Sequence, residues 1–112
     1  MSYRVLVADD APSARETLQE FLMREGHEAL LASGGIEALR IAERLETALD
    51  LSILDVNMPD LDGIETYLRI LERRRPLPCI FITADTSPDV RSRAMDAGAF
   101  TIIPKPVRLD LL

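Results

Sequence analysis

Short apolar runs alternate with longer amphipathic stretches along the whole chain. Arg4-Val5-Leu6-Val7-Ala8 is almost entirely apolar, the pattern of a strand buried on both faces. Ala14, Leu18, Phe21 and Leu22 then recur at helical spacing, and Gly26 is the expected stop. Glu28 to Ala32 reads as a second, more exposed strand, followed by a helical stripe of Ile36, Leu39, Ala42 and Leu45. A third strand, Leu51-Ser52-Ile53-Leu54, runs straight into Asp55. Ile64, Tyr67, Leu68 and Leu71 sit at i, i+3, i+4 and i+7 and predict the most regular helix of the chain. Arg73-Arg74-Arg75 and Pro76 end it, with positive charge where the helix dipole is negative. Cys79 to Thr83 predicts a fourth strand, Ser87-Pro88-Asp89 the cap and first turn of a fourth helix, Gly98 its stop, and Phe100 to Ile103 a fifth strand.

Repeated βα units with connections this short predict a parallel sheet with helices on both faces and right-handed crossovers. A fifth helix is expected to start after Pro104, with Leu109 and Leu112 on one face, but it would have barely two turns, a short or truncated last helix. The expected organisation is a single doubly wound α/β domain over residues 1–112, with no linker or repeat. A hydrophobic share of 47% beside 29% charged residues is a globular balance, too apolar for disorder.

The formal charge of −6 argues against nucleic-acid binding by this domain, since phosphate neutralisation needs clustered Lys and Arg. No run approaches the roughly 20 apolar residues of a membrane span, and no basic n-region precedes an apolar h-region. The lone Cys79 excludes a disulfide framework, fits a core position and suits the reducing cytoplasm. The single histidine, His27, lies at a helix–strand junction and reads as a solvated loop residue.

In an open parallel α/β sheet the ligand site lies outside the carboxyl ends of the strands. There the chain offers Asp9 and Asp10 after the first strand, Asp55 after the third, Thr83 after the fourth and Lys105 after the fifth. Ser33-Gly34, after the second, offers nothing comparable. Asp10 alone reads equally well as a helix cap, but the convergence of all five residues on one rim is harder to explain as structure. Two charges about 4 Å apart repel by ~4 kcal/mol at an effective dielectric of 20. Lys105 offsets one of three negative charges, and the rest invites a hard divalent cation such as Mg²⁺, held by carboxylates, water and phosphate. A carboxylate beside such a cation is a nucleophile that needs no general base, and an aspartyl-phosphate is its natural covalent product.

Asp9-Asp10, then Leu51 through Asp55-Val56-Asn57-Met58-Pro59-Asp60-Leu61-Asp62-Gly63, then Ile82-Thr83-Ala84, then Gly98-Ala99 and Lys105-Pro106, resemble the receiver domain of two-component response regulators. The resemblance covers essentially the whole chain, with the motifs in the right order and spacing. It implies a flavodoxin-like, five-stranded parallel sheet of order 2-1-3-4-5. It implies that Asp55 accepts a phosphoryl group from a sensor histidine kinase or a histidine phosphotransfer protein. It further implies Mg²⁺ on Asp10, Asp55 and the backbone carbonyl of Asn57, with Asp9 acting through water. Thr83 and Lys105 would contact the phosphoryl oxygens, and the Lys105–Pro106 bond would be cis. The implied role is a regulatory switch, not an enzyme beyond its own phosphorylation and dephosphorylation. It would signal to an effector domain or protein target, with a second copy of the chain as another candidate partner.

The residues suit these roles physically. Lys105 supplies a point charge, Thr83 a hydroxyl donor, and Ala84 leaves the pocket open. Pro59 and Gly63 are expected to shape the loop after Asp55. One position departs from the family pattern: Ile102, three before Lys105, stands where Tyr or Phe is usual. A stiff β-branched side chain there leaves the chemistry untouched but removes the ring that usually reports it. Three other readings are weaker. An aspartyl-phosphate phosphatase of the haloacid dehalogenase type needs a second Asp where Asn57 stands. A flavodoxin-like FMN domain would set Asp9 and Asp10 against the FMN phosphate. A degenerate receiver that binds partners without phosphate would not need the complete acid, Thr and Lys set.

Overall fold

The structure, a computed structural model, describes residues 2–107. Its elements are β1 (Arg4–Ala8), α1 (Pro12–Arg24), β2 (Glu28–Ala32), α2 (Gly35–Ala42), β3 (Leu51–Asp55), α3 (Gly63–Arg73), β4 (Cys79–Thr83), α4 (Pro88–Asp96) and β5 (Thr101–Pro104). All neighbouring strands pair in parallel, in the order β2-β1-β3-β4-β5. The expected fifth helix falls on residues 108–112, outside the described residues.

Alternation along the strands divides the core between the two faces of the sheet. Val5, Val7, Ile53 and Ile82 pack with Leu18 and Leu22 of α1. Leu6, Ala8, Leu54 and Phe81 pack with residues of α2, α3 and α4, among them Ala38, Tyr67 and Ala94. Tyr67 meets Phe81 edge to face, and its buried hydroxyl donates to the Leu77 carbonyl at 2.6 Å. Cys79 is wholly buried, and desolvation pushes its thiol up to about 12, which makes it an inert core residue.

Two helical stripes are borne out in part: Leu39, Ala42, Ile64, Tyr67 and Leu71 face the core as expected, whereas Ile36, Leu45 and Leu68 do not. On α2 the buried residues are Gly35, Ala38 and Ala42, whereas Ile36 is exposed and Leu45 lies beyond the helix. Small residues face inward because α2 packs closely on α3: a Cβ on Gly35 would collide with the Thr66 hydroxyl and the Leu61 carbonyl. On α3, Ile64, Thr66, Tyr67 and Ile70 are buried and Leu68 is exposed. Thr66 can face the protein because its hydroxyl donates back to the Asp62 carbonyl at 2.8 Å. The fifth strand begins one residue later than the apolar run, and the Phe100 ring is 76% exposed.

The ends of α2 are held from outside. Its N-cap, Gly34, has no side chain to offer, and the Asp60 carboxylate accepts instead from Gly35 N (3.1 Å) and Ile36 N (3.0 Å). At the other end Arg74 donates to the carbonyls of Ala42 (3.1 Å) and Arg44 (2.9 Å). The expected dipole pairing at the end of α3 is made by Arg75, which donates to the Leu71 carbonyl at 3.0 Å. No helix among the described residues is long and apolar enough to cross a membrane.

Candidate functional site

Four of the five strands deliver a polar residue to the carboxyl edge of the sheet. Parallel pairing aligns these ends: Ala8 is level with Leu54, Asp55 with Ile82, and Thr83 with Pro104. One carboxylate oxygen each from Asp9, Asp10 and Asp55 lie within 4.8 Å of one another, two of the residues buried and Asp10 exposed. Lys105 is fixed at the end of β5 by its own N–H, which donates to the Thr83 carbonyl at 2.9 Å. Its ammonium reaches back over the rim, 3.1 Å from Asp55 Oδ2 and 3.2 Å from Asp9 Oδ2.

The two buried acids are satisfied differently. Asp9 Oδ1 accepts the Ala11 N–H at 2.9 Å, and Arg15 grips the Asp9 backbone carbonyl at 2.7 Å. Asp9 Oδ2 is near Lys105 but outside hydrogen-bonding geometry and has no hydrogen-bond partner among the described residues. A buried carboxylate oxygen without a hydrogen bond is costly, and the shared Lys105 ammonium is its one compensating charge among the described residues. Asp55 accepts from Lys105 on Oδ2 and from the Asn57 N–H on Oδ1, at 3.3 Å. Burial is the largest influence on its carboxyl and raises it from 3.8 to about 6, assisted by the charge of Asp9 and opposed by Lys105. Desolvation would lower the Lys105 ammonium, but its hydrogen bond to Asp55 and the negative charges of Asp55 and Asp9 beside it prevail and raise it.

Asp10 does not cap α1. The N-cap position belongs to Ala11, which makes no side-chain cap, so the carboxylate of Asp10 is free of that structural duty. Three carboxylates, one of them with an orphaned oxygen, form a hard-oxygen donor set suited to Mg²⁺.

Thr83 is buried, and its hydroxyl closes a tight turn: it donates to the Asp85 carbonyl (3.1 Å) and accepts the Asp85 N–H (2.9 Å). Asn57 is exposed in the loop between β3 and α3, close enough to Asp55 for the bond above. Gly63 closes that loop not by unusual torsions but by proximity, since a Cβ there would collide with the Asp55 backbone carbonyl. Ile102 is half-buried, level with Phe81, and packs on the core shared with α4. The Lys105–Pro106 bond is cis. His27, half-buried just before β2, accepts the Tyr3 N–H on Nδ1 at 3.0 Å, and its ring packs beside that of Tyr3. Sequence reasoning missed Asp60 and Arg15, whose partners are backbone groups, and Asp85, whose backbone holds the Thr83 hydroxyl. The only sequence signal for Asp60 is the adjacent Gly34-Gly35, which makes room for it.

The family model described as the response regulator receiver domain matches residues 5–112. Response regulator MprA of Mycobacterium bovis is 41% identical over 113 residues, an overlap of 100% of this chain and 48% of that protein. The chain thus spans about half the length of such curated relatives. Among solved structures, a CheY-like receiver domain protein from Methanospirillum hungatei superposes with TM-score 0.91 at 28% identity, covering 99% of this chain and 88% of that one. The CheX–CheY–BeF₃–Mg²⁺ complex from Borrelia burgdorferi gives TM-score 0.90 at 27% identity, covering 97% and 82%.

The raised carboxyl of Asp55 has a consequence for stability. Between pH 3.8 and about 6 the folded state holds a proton that the unfolded chain has released, so stability falls as pH rises through that window. The ionised Asp55 therefore costs on the order of 2–3 kcal/mol above it. In metal-free buffer, Asp55→Asn is expected to melt several degrees above the unaltered chain at pH 7.5, with the gap closing toward pH 4. A gap that does not change with pH would contradict this electrostatic picture.

Proposed function

Because this chain belongs to the response regulator receiver domain family, we propose that it is a phosphorylation-dependent switch with Asp55 as its phosphoacceptor. The donor is a sensor histidine kinase or a histidine phosphotransfer protein. Mg²⁺ is held by Asp10, Asp55 and the backbone carbonyl of Asn57, with Asp9 acting through water. The observation that carries this reading is the convergence of three carboxylates on a single ammonium, Lys105, which leaves their negative charge in excess.

A carboxylate oxygen of Asp55 attacks the phosphorus of the phosphohistidine, an O–P bond forms, and the P–N bond breaks with its electron pair returning to the imidazole. Bound Mg²⁺ supplies positive charge to the transferring phosphoryl group. Lys105, 3.1 Å from Asp55 in the unphosphorylated form, moves to a phosphoryl oxygen as the carboxylate charge is consumed. For Thr83 to donate to another, its hydroxyl must leave the Asp85 carbonyl. Hydrolysis of the acyl phosphate resets the switch. The proposed domain is residues 1–112, and its setting is the cytoplasm, which suits the lone thiol of Cys79. The output is an effector domain or a separate protein target, with a second copy of the chain as another candidate partner.

Labelling by a small phosphodonor is expected to require Mg²⁺ and to disappear in Asp55→Asn, as read by intact-mass spectrometry. Undiminished, acid-stable labelling of that variant would contradict the assignment.

Ile102 generates a second expectation. A phosphoryl group shifts a conformational equilibrium only as far as it favours one state. Without a ring to fill space vacated by Thr83, the response should concentrate in the turn after β4. Amide shifts on adding beryllium fluoride and Mg²⁺ are expected to be large over residues 83–87 and small over residues 101–103. Equal shifts in both segments would show that Ile102 still carries the movement.

A further inference from the structure

The loop between β3 and α3 carries Asn57, whose carbonyl is one of the proposed Mg²⁺ ligands, and its ends are well fixed. Val56 N donates to the Ile82 carbonyl at 2.9 Å, and Gly63 N donates to the Val56 carbonyl at 2.8 Å. Between those ends Asn57, Pro59 and Asp60 are exposed, and Met58 is the one buried side chain. An exposed loop segment with a single buried anchor needs another restraint if a carbonyl in it is to be held for a cation that tolerates little error in geometry.

Asp60 supplies that restraint. Its Oδ1 accepts from Gly35 N (3.1 Å) and from its own loop neighbour Leu61 N (2.8 Å), while Oδ2 accepts from Ile36 N (3.0 Å). Three backbone donors on one carboxylate, two of them at the positive end of a helix, hold it ionised; the Ile36 bond is the largest of the influences that lower its carboxyl. The approach depends on glycine: a Cβ on Gly34 would stand 2.8 Å from both carboxylate oxygens. The same loop is tied on its other side, where Asp62 caps α3 through Glu65 N (2.8 Å) and meets Arg93 of α4 at 3.0 Å. That second tie is an exposed ion pair and is worth little by itself.

We propose that Asp60 is a positioning residue for the cation site, clamping the loop to the start of α2 so that the Asn57 carbonyl is presented toward Asp55. The proposal rests on the Mg²⁺ reading above. Its rival is that Asp60 serves only α2, a short helix without a cap of its own. Arg74 separates the two, because it holds the opposite end of α2 and has no bond to the loop.

The test is calorimetric titration with Mg²⁺ of the unaltered chain, Asp60→Ala, Asp60→Asn and Arg74→Ala, with amide spectra of the metal-free proteins. Asp60→Ala is expected to weaken Mg²⁺ by about tenfold, the loss usual for groups that orient metal ligands. Asp60→Asn, which keeps an acceptor oxygen, should lose less. Arg74→Ala should bind Mg²⁺ normally even if it melts earlier. In the metal-free spectra Asp60→Ala should move the Asn57 and Met58 amides, and Arg74→Ala should not. Normal Mg²⁺ affinity in Asp60→Ala, or an equal loss in Arg74→Ala, would overturn the positioning role alone. No Mg²⁺ binding by the unaltered chain would overturn the metal reading itself, and this proposal with it.

Discussion

The repulsion among Asp9, Asp10 and Asp55 is the constraint on which the rest of the structure turns. Folding brings their oxygens within 4.8 Å of one another, and two of the three residues are cut off from water. Lys105 is shared between two of them and leaves one oxygen of Asp9 without a hydrogen bond. A protein selected for stability alone would replace one of these acids. Their presence together, with the Asp55 carboxyl raised to about 6, is the electrostatic pattern on which the proposed cation rests.

Everything that aims these groups is ordinary α/β construction. Parallel register sets the strand ends level, alternation divides the core, and among the described residues α1 packs on one face while α2, α3 and α4 share the other. The less ordinary part is how α2 is held. It borrows both of its end partners from the chain around α3, Asp60 from before that helix and Arg74 from after it. The loop that follows Asp55 is thereby bound to a neighbouring helix, which couples the site to the scaffold by more than its two ends. Thr83 is the reverse case: its hydroxyl is committed to the turn at Asp85, and that bond must be given up for any contact with a phosphoryl group.

The strands and the rim were legible in the sequence because both follow from short-range pattern. A buried parallel strand is an apolar run, and the residue after it lies at the sheet edge, so the sequence alone places Asp9, Asp10, Asp55, Thr83 and Lys105 on one rim. Helix faces were read less well. The periodicity of α2 and α3 placed Ala42, Ile64 and Tyr67 inward but not Ala38 or Thr66, because the separation of packed helices, not hydrophobicity alone, selects what fits. Asp60 and Arg74 were invisible for a different reason. Their partners are main-chain groups from 24 to 32 positions away, and a main-chain donor leaves no trace in a sequence except the glycines that admit it. Ile102 was legible as a departure, and its place against the core beside α4 came only with the fold.

The most direct test of an acid cluster built around a cation is the melting temperature of the chain as Mg²⁺ is added, beside that of Asp10→Asn. A ligand that binds only the folded state at 100 times its dissociation constant adds about 2.7 kcal/mol, a rise on the order of 10 °C for a domain of this size. The unaltered chain should show that rise at saturating Mg²⁺, and Asp10→Asn should lose most of it. An equal rise in both proteins, or none in either, would contradict the account.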